Sequence, residues 1–404
     1  MNPHRLHPSL SFPMFLLAAV LFTGCAPKGP ADEGVGNPRV LPVNCFETHW
    51  AEQLETVHGK VKRIFARDTY VIGYTDDGTS YVLDRATGAM PFPPVTIRNG
   101  DQALRAPVVL KDFIVYPTNT SLEVYDRAGA LVRSKDLRYS IRSDAVGNKT
   151  FVYFGADLQG GGRVVAVDVT SEYLDHRWEL MFPHAAISAA PAVWGDIVYA
   201  AATNGDVAAV SYDSREPLWP LPNGVFHTGE EVIADLQIDD TGVYVSSMDT
   251  KLCALNRNNG KVKWQYLAKA PLHDSPVVLK ELVMQRVDGV GFVAIDKLAG
   301  AYNRAPRWIA PDVTKILSAD AKFVYVLRND NMIVALDKMD GHAVFTSTRH
   351  DLVTYTTNTK DATIFAVTTG NRVLAITPVL KPGVVGELAW VPAAPMKQVV
   401  ALAR

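Results

Sequence analysis

Short apolar runs alternate with tight polar turns along this chain, and the alternation is periodic. Each period holds an apolar β run, a turn of Asp, Asn or Gly, a second apolar β run, and then usually Asp or Asn. Taken as anchors, those last positions are Asp84, Asp126, Asp168, Ser211, Asn256, Asp296, Asp337 and Thr377. They lie 42, 42, 43, 45, 40, 41 and 40 residues apart. Apolar runs this short, bounded by turn residues, are strands rather than helices. A β unit repeating at this period is the spacing of a propeller blade. The pattern therefore predicts an all-β, eight-bladed β-propeller of four-stranded antiparallel blades.

The fifth copy shows the parts most clearly. Val243 to Ser246 reads as one strand, Asp249-Thr250 as a hairpin turn, and Leu252 to Leu255 as the next strand. Asp is expected to supply the positive φ at such a turn. Asn258-Asn259-Gly260 reads as a second turn, and Trp264 falls on the strand after it. First turns recur at Asp77-Gly78, Asn204-Gly205, Asp288-Gly289, Asp330-Asn331 and Gly370-Asn371, and second turns end at Gly88, Gly129, Gly300 and Gly341. Trp178, Trp219, Trp264 and Trp308 share the late position, at spacings of 41, 45 and 44. A large aromatic there is expected to wedge between neighbouring blades. The run Gly160-Gly161-Gly162 reads as a loop insertion; without strand-to-helix context it is not a phosphate loop.

The last copy lacks its Trp strand. Trp50 lies 128 residues before Trp178, about three periods. It is therefore in phase to supply the missing strand and hide a sheet edge. Trp390 offers a competing closure from the C-terminal side.

The stretches Ala254-Leu255-Asn256 through Gly260 to Trp264, and Ala335-Leu336-Asp337 through Gly341, resemble the PQQ-like (quinoprotein-type) propeller repeat. That resemblance covers most of the chain and implies a ring of seven or eight blades. It also raises PQQ-dependent dehydrogenase activity. Such enzymes carry adjacent cysteines, a calcium-binding set and a catalytic Asp; this chain has no Cys-Cys pair and is shorter. The chain is similar as well to the lipid-anchored propellers of outer-membrane β-barrel assembly, in size, anchor and repeat.

Composition narrows the functional classes. Of 404 residues 48% are apolar, and the net charge is −2. Without clustered Lys and Arg, nucleic acid is excluded as a partner. No zinc-protease, Cys-x-x-Cys or nucleophile-elbow string occurs. The carboxylate pairs Asp76-Asp77 and Asp239-Asp240 sit before turns and read as solvated turn chemistry.

The N-terminal apolar run Phe12 to Phe22 is too short to span a bilayer and reads as an export signal. It ends Leu21-Phe22-Thr23-Gly24-Cys25, which resembles a bacterial lipobox with Cys25 as the lipidated residue. Ala26 in place of Asp favours the outer membrane. The expected organisation is 1–24 signal peptide, 25–42 flexible tether, 43–380 propeller and 381–404 C-terminal tail. Cys45 and Cys253 read as small buried hydrophobes, with a disulfide as the alternative.

One constellation invites chemistry. Arg142, His184, His227 and His273 fall 16, 16, 16 and 17 residues after their anchors. In-phase residues lie at similar radius and height in a propeller, so these are candidate channel-face contacts. An anion or partner site, a three-His metal site, or incidental loop residues all stand open. No catalytic residue, metal or cofactor is otherwise expected. The expected function is a non-enzymatic, lipid-anchored scaffold that binds envelope proteins and is a monomer by itself. The alternatives are a ligand- or polysaccharide-binding channel and a quinoprotein enzyme.

Overall fold

In the computed structural model the described residues are 45–379, except 56–58, 99–104, 159 and 348. The signal segment, Cys25, the 25–42 tether, and the 381–404 tail with Trp390 lie outside them. Eight sheets follow one another around a ring. Blade 1 spans 61–96, blade 2 108–136, blade 3 140–183, blade 4 192–227, blade 5 237–267, blade 6 277–310 and blade 7 313–346. Blade 8 is composite. Its strands Leu352–Tyr355, Ile364–Thr368 and Arg372–Pro378 are completed on the outside by Phe46–Gln53, antiparallel, with Trp50 opposite Ala375. The seam is thus a shared sheet in which neither strand presents an open edge to the other.

The apolar pattern explains each strand's place. Second and third strands, such as Phe151–Leu158 and Ile333–Asp337, are buried along nearly their whole length. Neighbouring blades cover both faces, so these strands read as unbroken apolar runs. Outer strands such as Val262–Leu267 alternate buried and exposed, because one face meets water.

Six of the eight anchor residues close their turns locally. The Asp84 carboxylate accepts from Ala86 N (3.0 Å) and Thr87 N (2.9 Å); Asp126, Asp168, Asn256, Asp296 and Asp337 repeat the device. The first turns correct one expectation. In blade 5 the positive φ falls on Thr250 (72°), not on Asp249. Asp249 instead accepts from Lys251 N (3.1 Å) and Gly229 N (2.9 Å). The glycine run of blade 3 also differs. Gly161 and Gly162 begin the strand Gly161–Asp168, and a Cβ at Gly162 would stand 2.7 Å from the Ile187 backbone.

Blades join through one repeated contact. Trp50, Trp178, Trp219, Trp264 and Trp308 are all buried. The indole N–H of Trp50 donates to Arg85 O (3.0 Å), that of Trp178 to Tyr212 O (3.0 Å), that of Trp219 to Arg257 O (2.7 Å) and that of Trp308 to Lys338 O (2.9 Å). Every acceptor is the residue after an anchor in the next blade. Tyr153 and Tyr199 send their hydroxyls to the carbonyls that Trp178 and Trp219 use. Trp264 differs: the Arg304 guanidinium of blade 6 lies 5.5 Å from its ring centre. Three of the indoles rest on the second-turn glycine of the next blade. A Cβ on Gly88, Gly260 or Gly341 would come within 2.6 Å of Trp50, Trp219 or Trp308. Phe92 takes this place against Gly129; it lies 42 residues after Trp50, in phase with it but as a different ring.

A second joint uses the residue after the anchor. Lys297 pairs with Asp239 of blade 5, and Lys338 donates to Asp320 O and to Glu281 of blade 6 (3.3 Å). Arg85 reaches Asp361 and Asn358 of blade 8, both at 2.8 Å. Asp239 is therefore not the solvated turn residue that its sequence context predicts. Lys297 is 3% exposed, and the neighbouring blade buries their contact.

Burial pushes the Asp239 carboxyl up, but hydrogen bonds from Lys297 and Thr241 and the Lys297 charge outweigh it, holding it below the usual range. A depressed folded value stabilises the ring above the unfolded pKa of about 4, and this is lost as pH falls through the folded value. Lys297→Met should cost about 2 kcal/mol at neutral pH, by urea denaturation. The gap between variant and parent should close as pH falls through the folded value of Asp239. A gap that stays constant with pH would contradict this origin.

Candidate functional site

The first strands of the blades surround a central cavity of about 1540 Å³. These strands are short, two or three residues in blades 2, 4, 5 and 6. Hydrogen bonds across the blade gaps hold them in place. Ala106 N donates to Asp144 (2.9 Å), Ala190 N to Asp235 (2.8 Å), and Asp235 N to Ser275 Oγ (2.8 Å). A carboxylate that accepts from the neighbouring blade's backbone sets the spacing of the wall.

The cavity wall carries charges of both signs. Asp144, Asp235 and Asp274 face it from blades 3, 5 and 6, and Arg63, Lys315 and, from blade 6, Lys280, Arg286 and Lys297 face it as well. Arg63 lies 3.5 Å from Asp144, and Arg286 lies 3.8 Å from Asp274. Burial pushes the Asp235 carboxyl up against the backbone hydrogen bond from Ala190. Burial pushes the Lys315 ammonium down; its Nζ donates to Tyr355 O at 2.6 Å. Such a wall can hold a charged group.

The four in-phase residues do not line this cavity. Arg142 pairs with Asp157 of its own blade at 2.6 Å, and His227 with Asp206 of its own blade at 3.0 Å. His273 stands 3.9 Å from Asp288 of blade 6, and His184 is an exposed loop residue at φ 58°. Each of the three paired residues has its carboxylate at or beside the second-to-third-strand turn of a blade. They share a phase but are not brought together. Among the described residues no group of three or more His, Cys, Asp or Glu could hold a metal ion. Cys253 is an unbridged buried thiol that burial pushes up to about 12, so it is inert as a nucleophile. Cys45 is buried, and its carbonyl accepts from Val379 N (2.8 Å) at the seam.

The edges of the sheets differ as much as the cavity wall. The outer strand of blade 5 carries a fifth, parallel strand, Asn303–Arg304, from the long third turn of blade 6. Gln265 N donates to Tyr302 O (2.9 Å) and Gln265 Nε2 to Asn303 Oδ1 (2.9 Å). The outer strand of blade 3, His176–Pro183, runs eight residues, as does Phe46–Gln53 of blade 8, and among the described residues it pairs only inward, with Gly161–Asp168. Met181 on it is about half exposed.

Comparison with known proteins agrees with the ring. Residues 227–303, from the end of blade 4 into blade 6, match the family described as outer membrane protein assembly factor BamB. BamB from Moraxella catarrhalis superposes with a TM-score of 0.62 at 14% identity, over 82% of this chain and 97% of that one. A quinohemoprotein alcohol dehydrogenase from Pseudomonas putida HK5 gives 0.62 at 12% identity, over 87% and 79%. The Comamonas testosteroni enzyme gives 0.59 at 11%, over 85% and 79%. No curated protein matches the chain by sequence. At these identities the structural likenesses establish the propeller fold alone, which an assembly factor and alcohol dehydrogenases share.

Proposed function

We propose that this chain is a non-enzymatic, lipid-anchored scaffold of the cell envelope that binds protein partners and serves outer-membrane protein assembly. The observation that carries this reading is the open edge of blade 3. Its eight-residue outer strand offers an unpaired row of N–H and C=O groups, and strand addition is how such edges recruit extended segments. The ring already uses strand addition on itself, at Asn303–Arg304 on blade 5. The family match over 227–303 supports the same class of role. A Cys25 lipid would hold the ring at the membrane surface, where such partners lie.

Affinity capture from solubilised envelope tests the reading. Wild type is expected to retain a stoichiometric protein partner. Met181→Lys, a charge on the open edge, is expected to lower recovery about tenfold, equivalent to about 1.4 kcal/mol. Leu267→Lys, on the sealed blade 5 edge, is expected to leave recovery unchanged. No partner, or equal recovery from all three, would overturn the edge assignment. Cys25→Ser should move the protein from membrane to soluble fractions; fatty-acid labelling that survives this change would remove the anchor.

A further inference from the structure

We infer that Lys315, in the wall of the central cavity, is the anchor of a binding site for a small anion bearing a carboxylate or phosphate group. This site is independent of the scaffold role and of the blade edges.

The inference rests on how the cavity's cations are neutralised. Lys62 lies 3.5 Å from Asp76, Arg63 3.5 Å from Asp144, and Arg286 3.8 Å from Asp274, and Lys297 is paired with Asp239. Lys280 lacks a carboxylate but is fully in solvent's reach on its turn. Lys315 is half-buried and, among the described residues, has no carboxylate within 4.0 Å. Its ammonium carries three donors, of which Tyr355 O takes one, at 2.6 Å. A desolvated cation with unused donors facing open space attracts an anion more strongly than a solvated one does.

The surroundings define the rest of the ligand. Thr354, next in the chain to Tyr355, lines the same cavity, and no protein partner for its hydroxyl exists among the described residues. Val353, more than half exposed, adds apolar surface beside them. Asp235, on blade 5, has no cation within 4.0 Å among the described residues and repels an anion from its side of the wall, whereas Asp144 and Asp274 are offset by Arg63 and Arg286. The cavity, about 1540 Å³, exceeds the roughly 300–1,000 Å³ of an enveloping small-molecule pocket, so one anchored group is held rather than a whole ligand enclosed.

Titration calorimetry of the intact protein with inorganic phosphate, and separately with succinate, tests the site. Wild type should bind at least one of them saturably. Tighter phosphate assigns a phosphate ester, and tighter succinate a carboxylate. Lys315→Met should weaken binding about tenfold or more, the loss of one charge-assisted contact. Lys280→Met should leave it unchanged, and Lys315→Arg should retain most of it. Unchanged affinity in Lys315→Met, or no saturable binding of either anion by wild type, would overturn the inference. If Lys315→Met fails to fold, trace acetylation of wild type decides. The bound anion should slow acetylation of Lys315 and not of Lys280; equal rates with and without the anion would overturn it.

Discussion

Trp308→Ala should cost about 3–5 kcal/mol of stability, measured by denaturant unfolding, and be among the most damaging single changes in the ring. Trp308 is buried between blades 6 and 7, packed with Phe292, Val334 and Leu336 of its cluster. Truncation removes that apolar surface and leaves a cavity that the rigid sheets on either side cannot fill. It also leaves Lys338 O without the indole N–H that it accepts from at 2.9 Å. Trp308→Phe separates the two effects, since it keeps most of the volume and loses only the donor. It should cost about 1–2 kcal/mol, the value of a lost buried hydrogen bond with a small void. Equal losses in the two variants would mean that the hydrogen bond, not the packing, holds the joint.

The reciprocal change, Gly341→Ala, should cost about 2–4 kcal/mol, from left-handed backbone strain added to overpacking. Gly341 has φ 75°, and the new Cβ would stand 2.6 Å from Trp308. The two contributions can be separated by combining the substitutions. With Trp308 cut to Ala the clash disappears, and only the backbone strain of about 1–2 kcal/mol remains. The double variant should therefore be more stable than the sum of the single losses, by about 1–2 kcal/mol. Strict additivity would show that the glycine and the indole are not one joint.

These joints explain what was legible in the sequence. The anchor Asp and the turn glycine act within a few residues of themselves, so their chemistry survives in a linear pattern. The tryptophans recur because each fills the same inter-blade position, where Trp50, Trp219 and Trp308 meet a second-turn glycine of the next blade. Phe92 was less visible, since it fills the position with a different ring and its outer strand, Val95–Thr96, is only two residues long. The basic residue after the anchor was in plain view at Arg85, Lys297 and Lys338, but its target lies one blade away and only the closed ring identifies it.

The candidate site was harder to read. Arg142, His184, His227 and His273 share a phase, but a phase specifies height and radius, not proximity. Packed sheets lie about 10 Å apart, and residues in loops at their ends are at least as far from their counterparts. Three of the four found carboxylates close by instead, at Asp157, Asp206 and Asp288. Lys315 belongs to no phase, because its lack of a carboxylate is a property of the whole wall. The open edge of blade 3 was equally hidden, since exposure depends on what other loops cover.

Site-specific photo-crosslinking in intact cells tests the scaffold most directly. A photoreactive side chain at Met181 should form an adduct with one discrete envelope protein, and the same group at Leu267, beside the Asn303–Arg304 strand, should not. No adduct at Met181, or adducts of equal yield at both positions, would contradict a partner paired to the edge of blade 3.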